Sequence, residues 1–171
     1  STAMADLLRG KQKVAVIVGA LAMHHPQAAE LRALASQIAE ITHGALNLMT
    51  DGANMAGAWL AGAVSHRRAD GSQANGLSAV DMLMQPRQAY LLLNVEPEMD
   101  CANAQQAIAA MRDAKFVVAL SSYKNPILEA HANVLLPVAA FTETAGTFVN
   151  GSGEWQSFHG MAKPHGEARP G

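Results

Sequence analysis

The sequence predicts an α/β domain built on a Rossmann-like, doubly wound and mostly parallel sheet of about five strands. Short apolar runs alternate along the chain with longer segments of helical periodicity, an arrangement typical of parallel sheets. The runs contain few polar residues, as expected for strands that are covered on both faces. With 171 residues, 50% of them hydrophobic, the chain is long enough to bury such a core.

Five segments have the composition of strands. The first, residues 14–18, is rich in valine and ends at Gly19, and the third, residues 89–93, is entirely apolar and is therefore predicted to be central. The remaining strands are predicted at residues 46–49, 116–120 and 134–136, the last of them ended by Pro137.

Helices are predicted between these strands from apolar spacing and end signals. The clearest one runs from His25 and Pro26 to His43 and Gly44, because proline favours the start of a helix and glycine the position just past its end. Further helices are predicted over residues 55–64 after an Asn54 cap, over 77–84, from Asp100 with Cys101 in its first turn, and from Asn125-Pro126.

The chain divides by composition into three parts. Residues 1–3 are interpreted as a cloning scar, residues 4–140 as the α/β domain, and residues 141–171 as an extended C-terminal arm. The absence of an initial methionine and the ending in Pro-Gly suggest that both ends are cuts in a longer protein, although a stand-alone interaction module is a weaker alternative.

Composition excludes several classes of function. The net charge is −2 and the one basic cluster, residues 66–68, is followed by Asp70, so nucleic-acid binding is not expected. No apolar run approaches the ~20 residues that span a bilayer, so direct membrane insertion is not expected either. The single cysteine, Cys101, excludes an intrachain disulfide and disfavours an iron–sulfur cluster held by this chain alone.

Ligands of doubly wound sheets bind at the carboxyl ends of the strands. The residues there give a vestigial crevice with five candidates, none of them assigned a catalytic role: Gly19, Asn94, Glu96, Ser121 and Ser122. The glycine-rich dinucleotide fingerprint is missing, and the carboxylates at positions 96, 98 and 100 disfavour a phosphate. The histidine pair 24–25 and the group His159, His165 and Glu167 lack the spacing of metal sites, so no metal is predicted.

Residues 135–150 read Leu-Leu-Pro-Val-Ala-Ala-Phe-Thr-Glu-Thr-Ala-Gly-Thr-Phe-Val-Asn and closely resemble the molybdopterin oxidoreductase family. That family typically shows a Val-Leu-Pro strand end, a glutamate and then Gly-Thr-Phe-x-Asn. Residues 52–64, 94–97, 155–158 and 163–170 are similar to the branch of the family that occurs in respiratory NADH–quinone oxidoreductase, complex I.

The resemblance also has departures that bear on cofactors. Family members that hold a molybdenum cofactor often carry Gly-x-Asn-Pro where residues 94–97 read Asn-Val-Glu-Pro, and an aspartate where Ser121 or Ser122 stands. Residues 152–154 replace the usual Glu-Gly-Arg with Ser-Gly-Glu. The resemblance therefore implies a retained fold without a bound cofactor, the iron–sulfur clusters of the parent subunit lying outside this segment. A pterin- or nucleotide-binding redox domain is the alternative.

The same resemblance implies partners and a location. The parent complex would pass electrons from NADH to quinone and translocate protons, while the isolated segment is expected to be inactive. Expected partners are other domains of the same subunit and other peripheral-arm subunits, at the cytoplasmic side of the plasma membrane. Phe148, Trp155 and Phe158 are expected either to contact a partner or to fold back on this domain.

Overall fold

A computed structural model describes residues 6–8, 10–49 and 51–170. The predicted scar, residues 1–3, lies outside the described residues. The predicted mixture of helices and parallel strands is confirmed. The described residues form two compact units, one comprising those up to 57 together with 149–154, the other residues 58–148 and 155–170.

The first unit contains a two-stranded parallel sheet. Strand β1 (Ala15–Val18) pairs with β2 (Ala45–Leu48), and the short helix α1 (Ala20–Met23) and the longer α2 (Ala28–Ile41) connect them. Helix α2 packs on β1 and buries Ala35 and Ala39, at 8% and 5% exposure. Small alanine side chains allow this close approach of helix and sheet.

Both ends of α2 differ from the prediction. The helix begins at Ala28 with Gln27 at the N-cap, so Pro26 lies in the preceding turn. At the other end the helix stops at Ile41, and His43 adopts the left-handed backbone conformation, with φ of 50°. Glycine is required at position 44 for space, because a Cβ there would lie 2.7 Å from the carbonyl oxygen of Val14.

The second unit is built on a three-stranded parallel sheet of β3 (Ala89–Leu93), β4 (Phe116–Ser121) and β5 (Val134–Pro137), in that order. Helix α3 (Met55–Leu60) precedes it in the chain, and Asn54, predicted as its cap, accepts a hydrogen bond from the Val149 amide at 2.8 Å. The elements of the second unit are α4 (Ala79–Met84), β3 (Ala89–Leu93), α5 (Pro97–Asp100), α6 (Ala104–Asp113), β4 (Phe116–Ser121), α7 (Pro126–His131) and β5 (Val134–Pro137).

Within this three-stranded sheet β4 lies between the other two strands, so β3, predicted to be central, forms an edge of it. Val117 and Ala119 of β4 are each 1% exposed, whereas Leu91 of β3 is 72% exposed. An apolar sequence is compatible with either position, so composition alone did not distinguish them. The five predicted strands are divided between two sheets, and no sheet in the described part of the chain contains them all.

The segment around Asp100 also differs from the prediction. Asp100 ends α5 rather than starting a helix, and Cys101 is the C-cap of α5. Helix α6 begins at Ala104, where the Asn103 side chain accepts a hydrogen bond from the Gln106 amide at 3.1 Å. Pro97 favours an earlier helical turn because its ring presets the backbone for the first helical position.

The arm contains regular structure. A 3₁₀ turn (Phe141–Glu143) is followed by a hairpin of β6 (Gly146–Val149) and β7 (Trp155–Phe158). The hydroxyls of Thr147 and Ser157 lie 2.9 Å apart between the two strands. The helix predicted over 55–64 is shorter, since it ends at Leu60, and the one predicted at Asn125-Pro126 is confirmed as α7.

Candidate functional site

A cleft of about 560 Å³ opens in the second unit at the carboxyl ends of β3 and β4. Four of the five predicted crevice residues line it, namely Asn94, Glu96, Ser121 and Ser122. The fifth, Gly19, follows β1 in the first unit and is not one of the residues that line this cleft. Asp100, predicted at the strand end as one of three carboxylates, lines the cleft as well, together with Tyr123. The lining also includes residues of the arm that were not assigned to the crevice from the sequence, among them Phe141, Thr144, Phe148 and Phe158.

Asn94 connects the sheet to the cleft. Its amide donates to the Leu120 carbonyl at 2.8 Å, which continues the β3–β4 ladder, and its φ of 49° then turns the chain out of the strand. Asparagine tolerates this left-handed conformation better than most residues. The chain direction after β3 is therefore set by Asn94, and the carboxylates that follow it are brought to the cleft.

The two serines at the end of β4 support the loop. The hydroxyl of Ser121 donates to the Tyr123 carbonyl at 2.8 Å, and that of Ser122 lies 3.3 Å from both the Asn94 Oδ1 and the Ala139 carbonyl oxygen. Neither hydroxyl has a histidine or carboxylate base among its partners in the described residues. These contacts give both serines a structural role in the described region.

Two carboxylates supply the charge of the cleft. The Asp100 Oδ2 accepts a hydrogen bond from the Glu96 amide at 2.7 Å, and the Glu96 Oε1 accepts one from the Asn125 side chain at 3.3 Å. The same Asn125 nitrogen also donates to Glu98. No lysine, arginine or histidine is present among the described residues that line the cleft. Its lining therefore carries an excess of two negative charges.

Aromatic side chains and one unsatisfied hydroxyl complete the lining. Phe148 and Phe158 form an edge-to-face pair with centroids 4.9 Å apart, so these two residues fold back on their own domain. Tyr123 and Phe141 are 65% and 83% exposed at the opening. The Thr144 hydroxyl oxygen is buried and has no hydrogen-bond partner within the described part of the chain. The sequence shows that Phe148 and Phe158 are aromatic, but their contact with each other depends on the folding of the hairpin.

The remaining chemical groups lie outside the cleft lining. Burial, followed by the negative charge of Asp100, raises the pKa of the Cys101 thiol, which disfavours a nucleophilic role. In the basic cluster, the Arg67 guanidinium lies 6.0 Å from the Trp59 ring centroid. His24 contacts Asp51 at 2.5 Å. No group of three metal-binding side chains is found in residues 6–8, 10–49 and 51–170.

Over the same described ranges, no helix is long and apolar enough to cross a bilayer.

Comparison with known proteins adds two findings. The sequence matches the family model described as molybdopterin oxidoreductase over residues 2–171. It is also 40% identical over 77 residues to the NADH-quinone oxidoreductase subunit designated G in Streptomyces coelicolor. That alignment covers 45% of this chain but only 9% of the relative.

Proposed function

Because this chain belongs to the molybdopterin oxidoreductase family, we propose that it is a structural domain of an NADH–quinone oxidoreductase subunit and holds no redox centre of its own. The similarity to the Streptomyces coelicolor subunit supports the parent assembly. The observation that carries the cofactor-free role is the charge of the cleft, where Glu96 and Asp100 are unopposed by a lining cation in the described residues.

The cofactor implied by the family name does not fit this lining. A pterin nucleotide carries phosphate groups, which proteins bind with backbone amides, arginine or lysine. Two like charges about 4 Å apart repel by about 1 kcal/mol in water and ~4 kcal/mol at an effective dielectric constant of 20. Carboxylates at positions 96 and 100 would thus oppose the phosphates, and no reaction step is assigned to such a group.

Iron–sulfur clusters are proposed to lie outside this segment. Clusters of this type are held mainly by several cysteine thiolates, and the chain has one cysteine. The electron transfer of the parent complex, from NADH to quinone with proton translocation, would then use other segments. The domain itself would contribute surface for assembly and would be inactive in isolation.

The proposed partners are other domains of the same subunit and other subunits of the peripheral arm, on the cytoplasmic side of the membrane. Exposed apolar side chains on the three-stranded sheet support this role. Leu91, Leu93 and Leu136 are 72%, 56% and 47% exposed, although parallel sheets are usually covered on both faces.

We also propose that the predicted strands form a single doubly wound sheet of about five strands. Asn94 donates to Leu120, so by alternation the amides of Leu91 and Leu93 point away from β4. In a continuous sheet these amides would be as protected from hydrogen exchange as that of Leu92. Rapid exchange of Leu91 and Leu93 alone would show that β3 is an edge strand in solution.

A pterin- or nucleotide-binding redox domain is the second candidate. It is favoured by the position of the cleft at the strand ends, where doubly wound folds bind their ligands. Ser122 and Asn94 would then be ligand-binding residues rather than supports for the loop.

Calorimetry and metal analysis distinguish the two candidates. We expect the purified 171-residue protein to contain no stoichiometric iron or molybdenum and to show no binding of guanosine diphosphate, NAD or a reduced pterin. The variant Glu96→Gln/Asp100→Asn is the control. It removes both negative charges and leaves the shape of the cleft nearly unchanged, so it separates the effect of charge on nucleotide binding from the effect of shape. Stoichiometric metal, or nucleotide binding by the unmodified protein at micromolar concentration, would replace the structural role with the redox role.

A further inference from the structure

We infer that the cleft at the ends of β3 and β4 binds an arginine side chain presented by a neighbouring protein segment. This inference rests on the proposed function, because it gives the cleft a role in assembly rather than in holding a cofactor. The partner is defined by its chemistry, a guanidinium group on an apolar stem.

Charge complementarity is the first argument. Glu96 and Asp100 line the cleft without a lysine, arginine or histidine beside them among the described lining residues. Lys124, which follows the lining residue Tyr123 in the chain, forms an ion pair with Glu129 at 3.2 Å. A cation entering the cleft would therefore meet carboxylates that have no competing ion pair within the described chain.

Hydrogen-bonding capacity is the second argument. The Glu96 and Asp100 carboxylates each accept one hydrogen bond from the described residues, which leaves further lone pairs available. A guanidinium offers five N–H donors in a planar fork, whereas an ammonium offers three from a single point. The arrangement thus favours arginine over lysine.

The walls of the cleft give the third argument. Phe148 and Phe158 present a ring edge and a ring face to each other, and Tyr123 and Phe141 are exposed at the opening. Aromatic faces attract guanidinium groups, and the methylene stem of arginine packs along apolar surface such as Leu93. A phosphate-bearing or acidic ligand would gain neither contact.

The volume leaves room for more than the guanidinium. At about 560 Å³ the cleft lies within the range of small-ligand sites, so one arginine and the adjoining main chain can enter together. A free organic cation would satisfy the same charges but would not use this extra space, and we therefore assign the cleft to a protein segment.

The test uses N-acetyl-arginine-N-methylamide as the probe, titrated into the 171-residue protein and followed by amide NMR. We expect saturable shifts at Asn94, Ser122 and Thr144 with a dissociation constant in the millimolar range. The neutral citrulline analogue, which has nearly the same shape, should bind at least tenfold more weakly. The lysine analogue should fall between the two.

Matched variants locate the effect. Glu96→Gln/Asp100→Asn should weaken binding at least tenfold while keeping the acceptors for the Glu96 amide and Asn125. Asp113→Asn, which changes an exposed carboxylate paired with Arg112 outside the cleft, should leave binding unchanged. Equal binding of the arginine and citrulline probes, or equal loss in Asp113→Asn, would overturn the inference.

The outcomes also separate this inference from the function on which it rests. If neither the arginine probe nor any nucleotide binds, the arginine site is refuted and the cofactor-free structural role stands. If guanosine diphosphate binds at the same residues, both fall. If a short arginine-containing peptide binds no more tightly than the free amide, the assignment to a protein segment is refuted.

Discussion

The Asn125 side-chain nitrogen lies 3.3 Å from the Glu96 Oε1, while the Asn125 oxygen accepts the backbone amides of Ile127 and Leu128. One side chain, 6% exposed, thus caps helix α7 and holds the loop that brings the carboxylates to the cleft. The nitrogen also donates to Glu98, whose second oxygen is buried without a partner in the described region. The stability of α7 and the geometry of the cleft therefore depend on the same residue.

We predict that Asn125→Ala lowers the free energy of unfolding by about 2–4 kcal/mol. Loss of an N-cap costs about 1 kcal/mol, and leaving a buried acceptor without its donor costs about 1–3 kcal/mol more. Urea unfolding would measure the change. Asn103→Ala, which removes the cap of α6 without a carboxylate contact of this kind in the described residues, should cost only about 1 kcal/mol, and equal losses in the two variants would contradict the dual role.

Adjacent substitutions at the end of α2 should have opposite effects. His43→Gly should stabilise the protein by up to about 1 kcal/mol, because φ of 50° is unfavourable for a residue with a Cβ. Gly44→Ala should destabilise it by about 1 kcal/mol or more, since the new Cβ would lie 2.7 Å from the Val14 oxygen. Thermal unfolding distinguishes the two signs, and a stabilising Gly44→Ala would contradict the close approach of Gly44 to Val14.

The single cysteine should react slowly with iodoacetamide near neutral pH. Burial and the charge of Asp100 raise the pKa of Cys101, so its thiolate fraction at a given pH is smaller than that of an unhindered cysteine. The rate should increase as the pH rises toward that pKa. Asp100→Asn should accelerate alkylation, whereas Asp113→Asn should not, and mass spectrometry can follow all three proteins. An unchanged rate in Asp100→Asn would exclude the electrostatic contribution.

The reciprocal hydrogen bonds between Ser78 and Asp81 at the start of α4 should be detectable as a lowered pKa of Asp81. The hydrogen bond from the Ser78 side chain, and then that from its backbone amide, lower the pKa of Asp81. Because the folded pKa is depressed, the stabilisation is present above the unfolded pKa of about 3.9 and is lost as the pH falls through the folded value. In Ser78→Ala the Asp81 pKa measured by NMR should rise toward its ordinary value. The pKa of Asp70, lowered by Ser72, should not move and serves as the control.

Much of the local structure could be predicted from the sequence. The apolar runs at 89–93 and 116–120 form strands at those positions, and Asn125-Pro126 starts a helix, because these signals depend on neighbours within a few residues. Helix ends were less predictable. Near the end of α2, glycine is required at position 44 because there is no space for a Cβ beside Val14, which lies on another segment.

The crevice residues show the same division. Four of them could be located because the carboxyl ends of neighbouring parallel strands meet at one edge, and this follows from the order of strands and helices. The aromatic residues of the arm could not be assigned to the cleft in advance, since their position depends on how the hairpin of β6 and β7 folds.

The sequence by itself determined the α/β class, the number of cysteines and the charges after β3, since each is a local property of the chain. Only the tertiary structure decided that β4 is central and that Asn125 joins α7 to the acidic loop. It likewise decided that Phe148 and Phe158 meet across a hairpin. Such contacts join residues distant in the chain, and the free energy that selects them comes from the burial of surfaces that assemble only when the chain is folded.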